Sequence, residues 1–326
     1  MIFNFKNLID MRHRGFTLVE LLITSLLGAV AVLVVLGIAR QSTMVMERIA
    51  TRTLAWERGQ NALSIIEPRA IHAAFGITFQ QTGDVFRRSF GRNNVSSPPP
   101  ARWTDRGPVQ IWDGFPSLFN LAPNQGGVFR GRGIALLYAI PSALRAYIAD
   151  NAPIALNEGQ SANVRLIPSP APGYISNRLS THAKNDLRSW VTFPLMRIPV
   201  HAAYAGGSIT VSMAEASGLS ATIYPFDEMH YLRASRFYAQ NEIMFSEELR
   251  TAWTHVEPRL EGVLEMWFEW TPSKNLLEAW ILTTGGRISS GRSTRPADWP
   301  HEAPWRASFE RHSVLVTRGA WILRNM

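Results

Sequence analysis

The chain has 326 residues, of which 46% are hydrophobic and 18% are charged, and its formal net charge at pH 7 is +8. This composition is ordinary for a globular protein and predicts a substantial folded body of one large or two modest domains. The chain contains no cysteine, which excludes disulfide bonds and any zinc site built on thiolates. The modest positive surplus indicates a solvated surface more readily than a nucleic-acid-binding protein.

The first element in chain order is an apolar segment from Leu21 to Ala39. It contains no charged residue, and only Thr24 and Ser25 are clearly polar. As a helix, its 19 residues would extend roughly 28 Å, close to the thickness of the hydrocarbon core of a bilayer. We therefore expect one membrane-spanning helix.

The residues before this segment indicate its orientation. Four of them are basic or can become so: Lys6, Arg12, His13 and Arg14. Because positive residues favour the cytoplasmic side of a membrane, the N-terminus should be cytoplasmic and everything after Ala39 should lie outside the cytoplasm. The chain is thus expected to cross the membrane once and to export its body.

Two ordinary interpretations of this region stay open at this point. A secretory signal would be cut after its apolar core, and Gly37-Ile38-Ala39 could pass for such a site. The core of that class is, however, only about 7 to 15 residues long. A plain uncleaved anchor is the second interpretation. Neither the secretory signal nor the plain anchor explains Glu20 at the start of the span. Insertion of a carboxylate near the hydrocarbon costs free energy, and such a group normally has a partner.

The sequence Arg-Gly-Phe-Thr-Leu-Val-Glu-Leu-Leu over residues 14–22 closely resembles the cleavage and methylation motif of type IV prepilins and type II secretion pseudopilins. The resemblance combines a basic leader, Gly15 before the cut, Phe16 after it and Glu20 as the fifth residue of the mature chain. It implies cleavage by a membrane-embedded prepilin peptidase and N-methylation of Phe16. It also implies residence in the inner membrane, followed by assembly with other major and minor pilins into a pilus or pseudopilus, where the protein would reach the cell surface.

These residues also indicate how such assembly would work. Cleavage would remove the leader and leave an α-amino cation on Phe16, one helical turn from Glu20. A carboxylate buried among packed helices needs a cation, which the N-terminus of a neighbouring subunit can supply. Glu20 is therefore expected to set the register between subunits, the role that the resemblance gives to this position.

Helical spacing continues beyond the span. Apolar and small side chains recur mostly at three- and four-residue intervals: Met46, Ile49, Thr53, Trp56, Leu63 and Ile66. This pattern predicts an amphipathic second half of the same helix, with the stripe packed on a head domain. We expect Pro68 to kink or end the helix near Glu67. The stretch over 57–76 resembles the transition from stalk to head in PilW-type minor pilins.

The rest of the chain predicts strands. After a predicted surface loop over 93–100, short strand-like runs alternate with turn residues: Gly133–Ile140, Val191–Ile198, Ile209–Met213, Tyr231–Tyr238, Val263–Trp270 and Leu277–Thr283. The expected fold is α+β. It has a leader over 1–15, a pilin-like transmembrane and stalk helix over 16–75, and a large C-terminal antiparallel β-sheet head over 76–326. The C-terminal runs, including Trp321–Asn325, resemble the last strands of PilW-type and J-type pseudopilin heads.

No catalytic signature stands out in the head. The sequence has no G-x-S-x-G elbow, P-loop or H-E-x-x-H motif, and no acidic cluster with the spacing of a calcium loop. His301 and His312 are interpreted as solvated or core residues rather than metal ligands. One glycine group predicts a turn before a strand rather than a dinucleotide loop: Gly126, Gly127, Gly131 and Gly133. We expect no enzyme activity, no cofactor and no metal.

Three functional hypotheses follow. The resemblance favours a minor type IV pilin of the PilW type, located near the pilus tip and active in the initiation of assembly. The alternative is a minor pseudopilin of a type II secretion system, similar to the J subunit. The third is a DNA- or surface-binding tip module, in which a basic patch with one tryptophan would hold phosphates and stacked bases: Arg87, Arg88, Arg92, Arg102 and Trp103.

Overall fold

A computed structural model describes most of the chain between Thr17 and Leu323. The described residues are 17–77, 108–112, 127–170, 174–175, 179, 186–205, 208–213, 218–249, 253–288 and 291–323. The chain divides into two compact units, Met1–Ala50 and Thr51–Met326. Each unit is described by itself.

The first unit consists, in its described part, of the N-terminal portion of a single helix, α1 (Leu18–Ile71). Every side chain from Leu18 to Ala50 is exposed. Its part over 21–39 carries no charged residue, and such an exposed apolar surface is suited to a lipid or helix-packed environment rather than to water. Among the described residues, α1 is the one helix long and apolar enough to cross a membrane.

Pro68 was predicted to kink or end the helix near Glu67, and of these two outcomes the end is wrong, because α1 continues to Ile71. Proline removes the hydrogen bond that would reach the carbonyl group of Ser64, four residues earlier. Both Pro68 and Ser64 are exposed, so water can satisfy that carbonyl group. The next turn is held by burial of Ala70 and by a 2.6 Å bond from Arg69 Nη1 to the Ile65 carbonyl oxygen.

The second unit begins with the last part of α1, which packs on a β-sheet. The buried positions of this part are spaced like one face of a helix: Ala55, Gly59, Ala62, Leu63, Ile66 and Ala70. The predicted stripe is thus right for Leu63 and Ile66 and wrong for the other four residues, which are exposed: Met46, Ile49, Thr53 and Trp56. Small residues carry the contact instead, because they let the helix backbone approach the sheet closely.

Fifteen strands follow in the described residues. They are β1 (Val109–Trp112), β2 (Phe129–Gly131), β3 (Gly133–Tyr147), β4 (Ile154–Leu156), β5 (Ser161–Ile167), β6 (Trp190–Thr192), β7 (Val200–Ala205), β8 (Ser208–Ser212), β9 (Ala221–Ile223), β10 (Glu228–Gln240), β11 (Ile243–Leu249), β12 (Trp253–Glu261), β13 (Val263–Thr271), β14 (Leu276–Arg287) and β15 (His312–Ile322). Every strand pairing between them is antiparallel. The α+β fold with one long N-terminal helix and a large antiparallel sheet domain is therefore confirmed.

The strands form three sheets. The largest has the order β1-β3-β5-β8-β7-β6-β10-β11-β12, the second has the order β15-β14-β13-β2, and β4 pairs with β9. An additional pairing of β3 with β10 closes six strands of the largest sheet into a ring. Buried side chains on these strands, including Leu144, Val164, Val211 and Tyr231, belong to one hydrophobic cluster. A second cluster joins the helix to the four-stranded sheet, with Ile66, Met266, Phe268 and Ile281 among its members.

Four of the six predicted strands are confirmed with extended bounds. A fifth is confirmed one residue earlier than predicted, as Ser208–Ser212, and the sixth prediction is too long. The run Val191–Ile198 is a strand only to Thr192. Pro194 follows, and the backbone N–H groups of Met196 and Arg197 turn back to the carbonyl oxygen of Phe193, at 2.9 and 3.1 Å. Proline cannot donate to a strand ladder, so the extended pairing stops before it.

The remaining predictions about the head are settled only in part. Gly131 ends β2 and Gly133 begins β3, so these two glycines flank a tight connection rather than a phosphate loop. His301 is exposed, whereas His312 is buried and lies 3.3 Å from the Thr284 hydroxyl through Nδ1. Gly126 and the loop predicted over 93–100 lie outside the described residues.

Candidate assembly site at the start of the long helix

Thr17 and Glu20 form a reciprocal cap at the N-terminus of α1. The Glu20 Oε2 atom accepts hydrogen bonds from the Thr17 backbone N–H at 3.0 Å and from the Thr17 hydroxyl at 2.9 Å. The Glu20 backbone N–H in turn lies 3.3 Å from Thr17 Oγ1. This is the geometry of a capping box, which satisfies donor groups that the first turn of a helix leaves unpaired. The Thr-x-x-Glu spacing is its sequence signal.

The two polar residues inside the apolar segment bond to their own helix. The Thr24 hydroxyl donates to the Glu20 carbonyl oxygen at 2.6 Å, and the Ser25 hydroxyl donates to the Leu22 carbonyl oxygen at 2.9 Å. Such bonds allow hydroxyl groups to lie in an apolar environment without an external partner. Thr24 and Ser25 therefore do not weaken the case for a membrane-spanning segment.

The carboxylate of Glu20 differs from these hydroxyl groups because it carries a charge. No basic side chain among the described residues forms an ion pair with Glu20. Both bonds from Thr17 reach Oε2, so an ionised carboxylate still has acceptor capacity for a cation. The arrangement can thus cap its own helix and bind a positive group from outside at the same time.

Gly15 and Phe16, the predicted cleavage residues, lie outside the described residues. Cleavage between them and methylation of Phe16 stay predictions. The basic patch of Arg87, Arg88 and Arg92 with its tryptophan also lies outside, together with Arg102. The structure therefore provides no geometry for a nucleic-acid interface at those positions.

Elsewhere in the described residues, several ionisable groups of the head form ion pairs with one another. The buried Glu265 carboxylate lies 2.9 Å from Arg132 Nη2 and 2.9 Å from Arg306 Nη2. Burial raises the pKa of Glu265, and these two guanidinium groups oppose that rise. No group of three or more His, Asp or Glu side chains in this part of the chain has an arrangement that could hold a metal ion.

A polar cavity of about 340 Å³ lies in the second unit, next to Arg58, Glu242, Thr284 and His312. These four side chains already have partners within the fold. Arg58 Nη1 donates to the Thr284 carbonyl oxygen at 2.5 Å, and His312 Nε2 lies 3.5 Å from Glu242 Oε1. The Arg58 bond joins α1 to β14, and the His312 contact joins β15 to the connection between β10 and β11, so these side chains have structural roles.

Comparison with known proteins identifies one family model, the prokaryotic N-terminal methylation motif, which matches residues 10–36. No curated protein and no solved structure matches the chain. The matched segment contains Gly15, Phe16, the Thr17–Glu20 cap and most of the apolar span. The motif implies processing by prepilin peptidase, anchoring in the membrane and assembly with other pilins, and its family consists of structural subunits rather than enzymes. The motif and the fold together indicate a type IV pilin-like or pseudopilin-like protein.

Proposed function

We propose that this protein is a minor type IV pilin that is incorporated near the pilus tip and helps to start pilus assembly. The observation that carries the proposal is the capped carboxylate of Glu20 at the start of a 54-residue helix. In this proposal residues 1–15 are a leader, residues 16–75 form the transmembrane and stalk helix, and residues 76–326 form the head. The N-terminus is cytoplasmic and the head periplasmic until the subunit enters the pilus and reaches the cell surface.

The size of the head supports a tip position. The head contains most of the 326 residues and 15 described strands, which makes it larger than the heads of typical major pilins. A shaft packs its subunits closely, whereas a tip leaves space on one side of each subunit. The argument is steric, and it favours a subunit used in few copies.

Glu20 has a defined part in this proposal. Prepilin peptidase would cut between Gly15 and Phe16, and methylation of Phe16 would follow. The α-amino cation of one subunit would then bind Glu20 of its neighbour, which neutralises both charges among the packed helices. Since Thr17 already orients the carboxylate, little side-chain freedom would be lost when this pair forms.

Deletion of the gene, with complementation, tests the proposal. We expect the number of surface pili to fall in the deletion strain and to recover with the wild-type gene. An epitope inserted in the head should label filament ends rather than filament sides. If pili stay normal while type II secretion is lost, the minor pseudopilin of the J type becomes the correct assignment. That alternative is supported by the same motif, which pilins and pseudopilins share.

The hypothesis of a DNA-binding tip rests on the charge of the basic patch. It predicts that the purified protein binds single-stranded DNA at low salt, with an affinity that falls as salt rises. Replacement of Arg87, Arg88, Arg92 and Arg102 by alanine should then abolish binding. Absence of binding by the wild-type protein at low salt would dismiss this hypothesis without affecting the pilin proposal.

A further inference from the structure

Two tight turns of the head expose a large hydrophobic side chain at the same turn position. The turn over 193–196 is closed by a backbone hydrogen bond of 2.9 Å, and the turn over 224–227 by one of 3.3 Å. Both turns have proline as their second residue, and the third residue is Leu195 in one and Phe226 in the other. These two side chains are 63% and 53% exposed. Because turns favour glycine, asparagine, aspartate and serine at such positions, turn formation explains neither hydrophobic residue.

Phe226 also has a backbone conformation that is unfavourable for its residue type, since its φ angle is 63°. Its N–H donates to the Ala146 carbonyl oxygen at 2.8 Å, and the Ala146 N–H donates to the Asp227 carbonyl oxygen at 2.9 Å. Two residues thus stand opposite one, as in a β-bulge whose first residue is left-handed and is usually glycine. A bulky residue with positive φ is strained, and such strain is concentrated at functional sites.

The buried Asp227 side chain joins the two turns. Its Oδ2 atom accepts a hydrogen bond from the Leu195 N–H at 3.0 Å. The joined turns lie beside the end of β3 and the start of β10. Two exposed tyrosines adjoin them, because Tyr224 begins the second turn and Tyr147 is the last residue of β3. We call these four exposed side chains the two-turn surface: Tyr147, Leu195, Tyr224 and Phe226.

Two exposed arginines flank the two-turn surface. Arg165 lies opposite Tyr147 in the pairing of β3 with β5, with its guanidinium carbon 5.7 Å from the centre of the tyrosine ring, and Arg145 lies two residues before Tyr147. Neither arginine forms an ion pair with any residue that the structure describes. Glu228 lies opposite Arg145 in the pairing with β10, but its carboxylate accepts the Ala143 N–H at 2.9 Å instead. The surface therefore combines exposed apolar side chains with uncompensated positive charge.

We infer that the two-turn surface and its two arginines dock on the anionic phospholipid surface of the membrane in which the chain is anchored. Exposed apolar patches mark sites of contact with proteins or membranes, and unpaired cations beside this patch favour an anionic partner. Leucine and phenylalanine on turns are suited to the apolar side of the lipid interface. Tyrosine and arginine are suited to its headgroup level, where guanidinium groups meet phosphates. The inference goes beyond the proposed function, because it holds equally for a pilin and for a pseudopilin.

Binding to vesicles of defined composition tests the inference. The full-length chain is reconstituted in phosphatidylcholine nanodiscs and mixed with vesicles of phosphatidylcholine alone or of phosphatidylcholine with an equal share of phosphatidylglycerol. We expect cosedimentation only with the vesicles that contain phosphatidylglycerol, and weaker binding at high salt, because salt screens the attraction between arginine and phosphate. Equal cosedimentation with both kinds of vesicle, or with neither, would overturn the inference.

Phe226→Asn separates lipid docking from folding. Asparagine tolerates positive φ, so this variant should raise the unfolding temperature by about 2 to 4 °C while it lowers the affinity for anionic vesicles about tenfold. Val256→Thr is the matched control, because Val256 is 54% exposed on β12 and lies outside the two-turn surface. Its affinity should stay at the wild-type value. Equal affinities of the two variants, or a lower unfolding temperature for Phe226→Asn, would contradict a role of Phe226 in docking.

Replacement of Arg145 and Arg165 by glutamine tests the charges. Each arginine near an anionic bilayer contributes about a factor of five to binding, so the double variant should lose about 10- to 30-fold in affinity. The matched control is the double variant Arg287→Gln and Arg311→Gln. It removes the same charge from two exposed arginines that form no ion pair in the described part of the chain. Equal losses in the two double variants would mean that net charge alone drives binding, which would refute a defined site.

Photo-crosslinking in cells identifies the surface that is bound. Benzoylphenylalanine replaces Leu195, or Val256 as the control, in cells that express the full-length chain without other filament subunits. We expect adducts with phospholipid from position 195 and none from position 256, which would identify the cell's own membrane as the partner. Adducts with a protein and none with lipid from position 195 would show that an acidic protein covers the surface, and the lipid inference would be wrong.

Discussion

The backbone of Gly59 on α1 lies directly against the side chain of Thr317 on β15. A Cβ atom at position 59 would stand 2.0 Å from Thr317 Oγ1 and 2.8 Å from Thr317 Cβ. Rotation of the threonine side chain would relieve the first contact and not the second. At this point the helix can therefore approach β15 closely only because position 59 has no side chain.

This relationship predicts opposite effects for two identical substitutions. Gly59→Ala should lower the free energy of unfolding by about 1 to 3 kcal/mol, because it overpacks a closed contact. Gly28→Ala is the matched control, because a Cβ atom there meets nothing within 4 Å and alanine is favoured in helices. Thermal unfolding of the detergent-solubilised chain, followed by tryptophan fluorescence, measures both. Equal effects of the two substitutions would show that the contact with Thr317 is unimportant.

The capping box at Thr17 and Glu20 allows the two roles of the carboxylate to be separated. Glu20→Gln keeps an oxygen that can accept from Thr17 and removes the charge, since glutamine serves in a capping box as glutamate does. Thr17→Val keeps the charge and removes the hydroxyl group. If Glu20 binds a neighbouring α-amine, Glu20→Gln should reduce incorporation into filaments strongly, and Thr17→Val should reduce it less.

Incorporation is measured by immunoblotting of sheared filaments, with N-terminal cleavage of each variant as the control. We expect cleavage to be largely normal in both variants. Normal incorporation of the Glu20→Gln variant would mean that the charge does not set the register, and that Glu20 serves as a helix cap alone.

A buried histidine predicts how the stability of the head depends on pH. Burial lowers the pKa of His230, and the nearby Glu228 carboxylate opposes this shift. The His230 ring also stacks on Phe75 with 5.0 Å between ring centroids. Because the folded state binds a proton more weakly than the unfolded state, protons favour unfolding as the pH falls below about 6.5.

The free energy of unfolding should therefore decrease from pH 7 to pH 5.5, with a contribution from His230 of at most about 1.4 kcal/mol per pH unit. His230→Gln should give a flatter profile over the same range. Asp227, whose pKa is raised by burial, acts with the opposite sign but is present in both proteins. Denaturant unfolding at a series of pH values tests the difference, and parallel profiles would exclude His230 as the cause.

Local sequence patterns predict the helix and six of the fifteen described strands, because these depend on neighbours in the chain. The apolar run from Leu21 and the strand around Val263 are examples. The pairing of β3 with β10, which closes six strands into a ring, cannot be predicted from local patterns. In that pairing Leu136 lies opposite Ser235, almost 100 residues later in the chain. Pro68 shows a related limit: a proline near a helix end is tolerated when the carbonyl it frees faces water.

Of the candidate site, Glu20 was predicted as a site residue, whereas Thr17 was not predicted as its partner. The spacing of Thr17 and Glu20 is sufficient to predict the capping box. The predicted partner of Glu20 is the α-amine of another chain, and no property of one isolated chain can show that contact. By contrast, the two-turn surface becomes visible only when the fold is known, since Leu195 and Asp227, which join its turns, are 32 residues apart in the chain.

The most direct test of the account is the mass and N-terminal residue of the protein isolated from cells with and without prepilin peptidase. The account predicts that wild-type cells contain a chain that begins at N-methylated Phe16 and that peptidase-deficient cells retain the residues through Gly15. A mature chain that begins at Arg40, or one that keeps Met1 in the presence of the peptidase, would contradict it.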